Sequence, residues 1–164
     1  MARAQAVCEE LRKCGVEYLV WLPDSEARYM YDALRAEPGL KLVQVCREDE
    51  AISVYFGLYL GGKEAAVLIQ NTGMMNATDS IRGTALTIGI PLLLMVGYRG
   101  YHGMVEGAAA PDTAAVYTEP ILKALGIPYY VLDTDEDVPS ISKAYHQSRA
   151  TSGPVAVLIG REYD

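Results

Sequence analysis

A glutamate at the end of an apolar run and the start of a helix is the residue in this chain best equipped for proton chemistry. Arg47-Glu48-Asp49-Glu50-Ala51 lies between the apolar run from Leu40 to Val45 and a small-residue stretch from Ala51 to Gly62. A carboxylate at such a junction, desolvated against a partner or a cofactor, can be made to handle a proton at neutral pH. Ala51, Ser53 and Gly57 lie just beyond it, and their small size lets another chain or a flat ring approach closely. The three acids also read as ordinary first-turn residues, each gaining about 0.3–1 kcal/mol from the helix dipole. Spacing alone leaves both uses open.

A second polar cluster, Gln70-Asn71-Thr72-Gly73-Met74-Met75-Asn76, follows another apolar run and leads into a helix. Its backbone N–H groups and amide side chains suit an anion or a polar heterocycle. It has neither the Gly-Lys-Ser/Thr of a phosphate loop nor the spacing of the dinucleotide fingerprint, and helix capping is its alternative use. Two methionines at a helix start suit an apolar contact surface. Arg99 and His102 fall in the glycine-rich stretch from Gly97 to Thr113. There an arginine can clamp an anion and a histidine can exchange a proton, although each also reads as a solvated residue. His146 lies within a helix, and Asp79 with Arg82 reads as an i,i+3 pair. Two histidines and three cysteines offer neither a nucleophile triad nor zinc-ligand spacing, and Cys8 and Cys14 read as helix core.

Alternating short strands and helices must hold these groups. The pattern predicts helices over Ala4–Lys13, Glu26–Ala36, Asp49–Leu60, about Met75–Thr87, Ala114–Leu125 and Val138–Ala150. It predicts strands over Tyr18–Leu22, Leu40–Val45, Ala65–Ile69, Pro91–Val96, Tyr129–Leu132 and Val155–Ile159. Pro23-Asp24-Ser25 supplies a turn and a helix cap. Gly97–Thr113 reads as a long loop able to close over a ligand. Such alternation implies a three-layer α/β/α fold on a mostly parallel sheet, formed by residues 1–164 as one domain. Ligands in such sheets bind at the carboxyl ends of the strands.

Acidic residues outnumber basic ones 21 to 14, for a net charge of −7, so nucleic acid is not an expected partner. The apolar stretch from Ile88 to Val96 is too short to cross a bilayer and is interrupted by Pro91, so no membrane association is expected. An odd set of cysteines and no recognisable secretion signal point to the cytoplasm.

Arg47-Glu48-Asp49-Glu50-Ala51-Ile52-Ser53-Val54-Tyr55-Phe56-Gly57, taken with Gln70 to Asn76, resembles the pyrimidine-binding domain of thiamine-diphosphate-dependent decarboxylases. The resemblance extends over nearly the whole chain, including Gly61-Gly62-Lys63, Tyr98-Arg99-Gly100 and Leu125-Gly126-Ile127-Pro128. It is nearest to alpha subunits of the sulfopyruvate decarboxylase type, with phosphonopyruvate decarboxylases next. In that family the activating glutamate is followed three residues on by Ala or Gly and nine on by Gly, which maps it to Glu48. The resemblance implies that Glu48 contacts a ring nitrogen of the aminopyrimidine and sets its tautomer. It further implies that Pro23, Gln70, Asn71, Thr72, Gly73 and Met74 line the cofactor, that Asn71, Arg99 and His102 meet the substrate, and that His102 joins Glu48 in catalysis.

The family binds Mg2+ and the diphosphate through a Gly-Asp-Gly motif, which this chain lacks. The resemblance therefore implies a beta subunit that carries the metal and diphosphate, in an alpha–beta hetero-oligomer. The reaction implied is decarboxylation of a 2-oxo acid, with 3-sulfopyruvate first. Phosphonopyruvate, another 2-oxo acid, carboligation, or a noncatalytic subunit of the same fold are the alternatives.

Overall fold

Runs of branched and aromatic residues become the six strands of one parallel sheet, ordered β2-β1-β3-β4-β6-β5. A computed structural model describes residues 3–160. The strands are β1 (Tyr18–Trp21), β2 (Lys41–Gln44), β3 (Ala65–Gln70), β4 (Leu92–Gly97), β5 (Tyr129–Leu132) and β6 (Pro154–Ile159). The helices are α1 (Ala4–Lys13), α2 (Tyr31–Ala36), α3 (Glu48–Leu60), α4 (Asn71–Asn76), α5 (Thr78–Ser80), α6 (Tyr101–Val105), α7 (Thr113–Ala124) and α8 (Ser140–Thr151). β4 and β6 are buried along their whole length, as strands covered on both faces must be.

The direction of each crossover decides its layer. A right-handed connection covers one face when the chain moves one way along the sheet and the other face when it moves back. The steps β2→β3, β3→β4 and β4→β5 run in one direction, and α3, α4 and α7 share one core with Val20, Ile69 and Val96. The steps β1→β2 and β5→β6 run in the other direction. Accordingly α1, α2 and α8 share the opposite core with Leu19, Trp21 and Val157. The order reverses at β1, so the crevice between β1 and β3 at their carboxyl ends is where such sheets take ligands.

Helix boundaries depart from the periodic pattern wherever a short polar side chain captures backbone groups. Asp24 Oδ1 accepts from the N–H groups of Glu26 (2.6 Å) and Ala27 (3.0 Å). The predicted Glu26–Ala36 helix is thereby shortened to a 3₁₀ turn over Arg28–Met30 followed by α2. The Thr78 hydroxyl donates to the carbonyls of Met74 and Met75. In place of one helix from Met75 to Thr87, α4 begins at Asn71, breaks at Ala77, and gives way to α5 and a π turn over Ile81–Leu86.

The expected loop from Gly97 to Thr113 contains α6, entered through Gly100 at φ 80°. Tyr98 is wholly buried. The Tyr101 ring lies against Gly160, where a Cβ would fall 2.6 Å from it. These contacts fix the first half of that segment. At the opposite end of the sheet Glu64 accepts from the Tyr145 hydroxyl (2.8 Å) and from Arg149, whose guanidinium lies over Tyr59 and Tyr145. Among the described residues no helix is long and apolar enough to cross a membrane.

Candidate functional site at the carboxyl ends of β1, β3 and β4

The turn after β1 reaches across the sheet. Gly97, the last residue of β4, has Glu26 so close that a Cβ on the glycine would sit 2.8 Å from Glu26 Cβ. Gln70, the last residue of β3, donates from Nε2 to Ser25 Oγ at 3.5 Å. Pro23 is exposed at the start of this turn. The Pro23–Glu26 segment thus lies over the carboxyl ends of β3 and β4 and walls one side of the β1/β3 crevice.

The opposite wall is the start of α3. Of its three acids, Asp49 is held by Arg47 at 3.0 Å and Glu50 Oε2 accepts from the Cys46 N–H at 3.0 Å. Those two serve the helix end, as first-turn acids commonly do. Glu48 makes no hydrogen bond or ion pair among the described residues, and its side chain lies on Gly73, the third residue of α4. A Cβ at position 73 would fall 2.2 Å from Glu48 Cγ and 2.5 Å from Cδ and Oε1. The glycine therefore makes the space that the glutamate fills. Ala51 is buried inside this chain, not presented to a ligand, whereas Ser53 and Gly57 are exposed.

Asn71 does not face solvent. It is wholly buried, and its Nδ2 donates to the Arg99 carbonyl (3.1 Å) and to the Thr118 hydroxyl (3.0 Å), while Oδ1 accepts from the Thr72 N–H. The amide ties α4 to the β4–α6 loop and to α7. Replacing Asn71 by Ala removes the three hydrogen bonds made by this buried side chain, to Arg99, Thr118 and Thr72, and is expected to lower stability by about 1–3 kcal/mol. A lower urea midpoint at unchanged m-value would show it. Thr72 is exposed and donates to Gln70 Oε1 at 2.7 Å. Met74 is 1% exposed and belongs to the core, leaving Met75 only partly buried.

Arg99 extends from the loop that Asn71 holds, and its Nε lies 2.9 Å from Asp112 Oδ2. Asp112 in turn caps α7 by accepting from the Ala114 N–H. His102 falls elsewhere. Its Nε2 is 3.2 Å from Asp133 Oδ1, just beyond β5, with Glu106 4.0 Å from Nδ1. β4 and β6 lie between β3 and β5, a separation of about 14 Å at roughly 4.8 Å per strand. The structure therefore gathers Glu48, Gly73, Asp24 and Gln70 at one crevice, places Arg99 beyond it, and sets His102 toward the far edge.

Asp24 is the residue that residue type and spacing did not single out beyond a cap. Burial pushes its carboxyl above the usual range; two backbone N–H groups pull the other way, and the nearby Glu48 charge adds to the rise. Its Oδ2 is buried without a hydrogen-bond partner among the described residues. A raised folded-state value means that Asp24's contribution is fully present below the unfolded pKa, about 3.9, and is lost as pH rises through the folded value. Asp24→Asn keeps an oxygen for both N–H groups and removes the titration. Its stability relative to the parent chain is expected to increase with pH over that window, read by urea unfolding at a series of pH values.

Together these features suit a flat heterocycle with a protonatable ring nitrogen. Glu48 offers a carboxylate that the described residues leave unbonded, and Gly73 leaves room for it without filling the crevice. Among the described residues no group of three or more His, Cys, Asp or Glu side chains is arranged to hold a metal.

Comparison with known proteins gives this geometry its context. The family described as thiamine pyrophosphate enzyme, N-terminal TPP binding domain, matches residues 1–116. The chain is similar to the sulfopyruvate decarboxylase subunit alpha of Methanococcus maripaludis, at 29% identity over 99% of this chain and 97% of that protein. It is similar to the protein of the same name from Methanothermobacter thermautotrophicus, at 30% identity over 98% of this chain and 96% of that one. It also matches the sulfopyruvate decarboxylase of Methanosarcina acetivorans, at 24% identity over 94% of this chain but 39% of that protein. With an α/β parallel sheet, the Glu48 carboxylate over a glycine at its switch point, and that family match, this chain belongs to the thiamine pyrophosphate enzymes as their N-terminal, pyrimidine-binding domain.

Proposed function

We propose that the chain is the alpha subunit of a thiamine-diphosphate-dependent 2-oxo acid decarboxylase that converts 3-sulfopyruvate to sulfoacetaldehyde and carbon dioxide. A second, beta subunit supplies the Mg2+ and diphosphate site. The observation that carries this reading is Glu48, the acid of its helix turn that no described residue engages, seated on a glycine at the β1/β3 crevice. Two relatives named as alpha subunits match nearly end to end, and the chain spans well under half of a relative named as the decarboxylase itself. These matches favour a partner that supplies the remainder.

Thiamine diphosphate, when bound, supplies the electron sink that lets carbon dioxide leave a 2-oxo acid. Everything else falls to residues of the two chains. Glu48 holds a proton at the pyrimidine ring nitrogen, and Gly73 sets where that carboxylate stands. Pro23, Gln70 and Thr72 frame the ring's crevice, while Asn71 and the buried Met74 fix α4 against the loop and the core. Arg99 offers its guanidinium to the sulfonate. His102, beside Asp133 just beyond β5, is the second candidate for proton transfer, acting toward the substrate while Glu48 acts at the pyrimidine ring.

Partner docking is supported by the surface of the α3–α7 layer. Residues 51–60 of α3 carry no charge. Among the described residues the exposed large apolar side chains are Tyr31, Leu60, Ile88, Val105, Val116 and Tyr117, most of them on α3, α6 or α7. The uncharged length of α3 with these side chains around it is the face assigned to the partner in this reading.

The test is recovery of the tagged chain from its own cells, followed by native mass spectrometry and assay. The expected result is a second chain with thiamine diphosphate and Mg2+, releasing sulfoacetaldehyde from 3-sulfopyruvate. A cofactor-free monomer or homo-oligomer would overturn the two-subunit reading. An intact complex active on a different 2-oxo acid would overturn the substrate alone.

A further inference from the structure

Asp112 is held more firmly than a helix cap requires. Its Oδ1 accepts from the Ala114 N–H at 2.9 Å, which caps α7. Its Cβ lies against Gly100, where a Cβ on the glycine would fall 2.6 Å away. Gly100 has φ 80°, so both the backbone and the space at that position call for glycine. Asparagine or serine would cap the helix as well. What aspartate adds is a charged second oxygen, and Oδ2 stands 2.9 Å from Arg99 Nε.

The pair does little for stability, since half of the Arg99 side chain is exposed and ion pairs so open to water contribute little. Its place in the fold is more telling. Arg99 follows the end of β4 by two residues, and its carbonyl accepts from Asn71 Nδ2 at 3.1 Å. Asn71 opens α4, and Gly73, which seats Glu48, comes two residues later. One buried amide thus ties the Arg99 backbone to the turn beneath the crevice's glutamate. Among the described residues the Arg99 side chain has no partner but Asp112, so the rest of its fork is left for an anion. Glu119, the next acid along α7, is taken up by Tyr98, Tyr129 and Lys123, and His102 faces Asp133 and Glu106.

We propose that Asp112 is a specificity-determining residue that restricts the Arg99 subsite to substrate tails carrying a single negative charge. The inference rests on the reading above in which Arg99 meets the tail of the 2-oxo acid. An arginine alone attracts every anion, and more strongly as the anion's charge rises. With Asp112 against Nε the pair is neutral overall, and the tail is held by the directed N–H groups of the fork. A sulfonate brings one charge and three acceptor oxygens. A phosphonate has the same shape but takes on a second charge near neutral pH, as phosphate monoesters do at about pH 6. That second charge faces Asp112 with no further cation to offset it. A fixed like charge is a means of separating ligands of equal shape.

The native assembly would be titrated by calorimetry with 3-sulfopropanoate and 3-phosphonopropanoate, which keep the tail and lack the reacting carbonyl. The buffer would be held at about pH 7.5, above the second phosphate-type ionisation. Neither titration needs turnover, so failure here is distinct from failure to decarboxylate 3-sulfopyruvate. The expected result is a Kd for the sulfonate lower than that for the phosphonate by about fivefold or more, a preference that shrinks as salt is raised. Asp112→Asn keeps an oxygen for the Ala114 N–H, so the chain should fold, and it should bring the ratio of the two Kd values close to one. Arg99→Ala should weaken both ligands. An unchanged ratio in Asp112→Asn, with Arg99→Ala still weakening both, would overturn the role of Asp112 alone, and a fall in thermal midpoint at that unchanged ratio would leave it a cap. A parent assembly that prefers the phosphonate would overturn the proposal. No binding of either ligand, or binding undiminished in Arg99→Ala, would remove Arg99 from the tail subsite and the proposal with it.

Discussion

Replacing Glu48 by Gln is expected to cut turnover of the proposed decarboxylase by about 10²–10⁴-fold, the usual contribution of a positioned acid or base, while leaving the chain folded. Glutamine matches the glutamate in shape, so the packing on Gly73 is kept. It cannot take or return a proton at a ring nitrogen. Glu48 has no hydrogen bond or ion pair among the described residues for the exchange to break. The change also removes a negative charge that acts on Asp24. Stability should therefore stay within about 0.5 kcal/mol or rise slightly.

The neighbouring acids make an internal control. Asp49 is occupied by Arg47 and Glu50 by the Cys46 N–H, so Asp49→Asn and Glu50→Gln perturb the helix end rather than the crevice. Their kcat should stay close to that of the parent enzyme. Steady-state kinetics and thermal midpoints of the three variants would decide the matter. Near-normal turnover in Glu48→Gln would remove it from catalysis and favour a noncatalytic subunit of the same fold. Equal losses in all three would mean that the helix start as a whole is being disturbed.

The sheet was readable from sequence because its inner strands are nearly continuous apolar runs, while the edge strand β2 carries polar Lys41 and Gln44 around Leu42 and Val43, and six segments in the expected places became six parallel strands. Helix limits were less readable. They depend on side chains such as Asp24 and Thr78 competing for backbone groups, and propensity carries no trace of which competition wins. α6 was hidden because glycine and alanine dominate its surroundings, and its order comes from Tyr101 lying against Gly160 at the end of the last strand.

The candidate site divides in the same way. Glu48 was visible as a type of residue at a type of position. The feature that separates it from Asp49 and Glu50 is an unengaged carboxylate, and that is a property of three dimensions. Asn71 looked like a ligand-facing amide, but burial gave its hydrogen bonds to Arg99 and Thr118. Asp24 looked like a cap and is one, yet its second oxygen and its nearness to Glu48 arise only because the β1 turn crosses the ends of β3 and β4. Contacts between distant segments decide such roles, and no local pattern encodes them.

Gly73→Ala is expected to impair the enzyme through Glu48, even though Ala is the better helix former by about 1 kcal/mol. The added Cβ would lie 2.2 Å from Glu48 Cγ and 2.5 Å from its Cδ and Oε1, closer than non-bonded carbons approach. Backbone strain at position 73 is not at issue, since its φ is not positive. The glutamate side chain is partly exposed and unbonded, so it can swing aside. The cost then falls mainly on geometry, and a displacement of about 1 Å in a catalytic group can cost about 10²-fold in rate. Two comparisons identify the route. If the glycine acts by positioning Glu48, adding Gly73→Ala to Glu48→Gln should lower kcat little further, because residues acting as a unit are not additive. In the Glu48→Ala background the clash is gone, so Gly73→Ala should stabilise the chain by about 1 kcal/mol, whereas with Glu48 present that gain should be offset by crowding. Full additivity in both rate and stability would show that position 73 acts independently of Glu48, and the glycine cradle would then have no part in the chemistry.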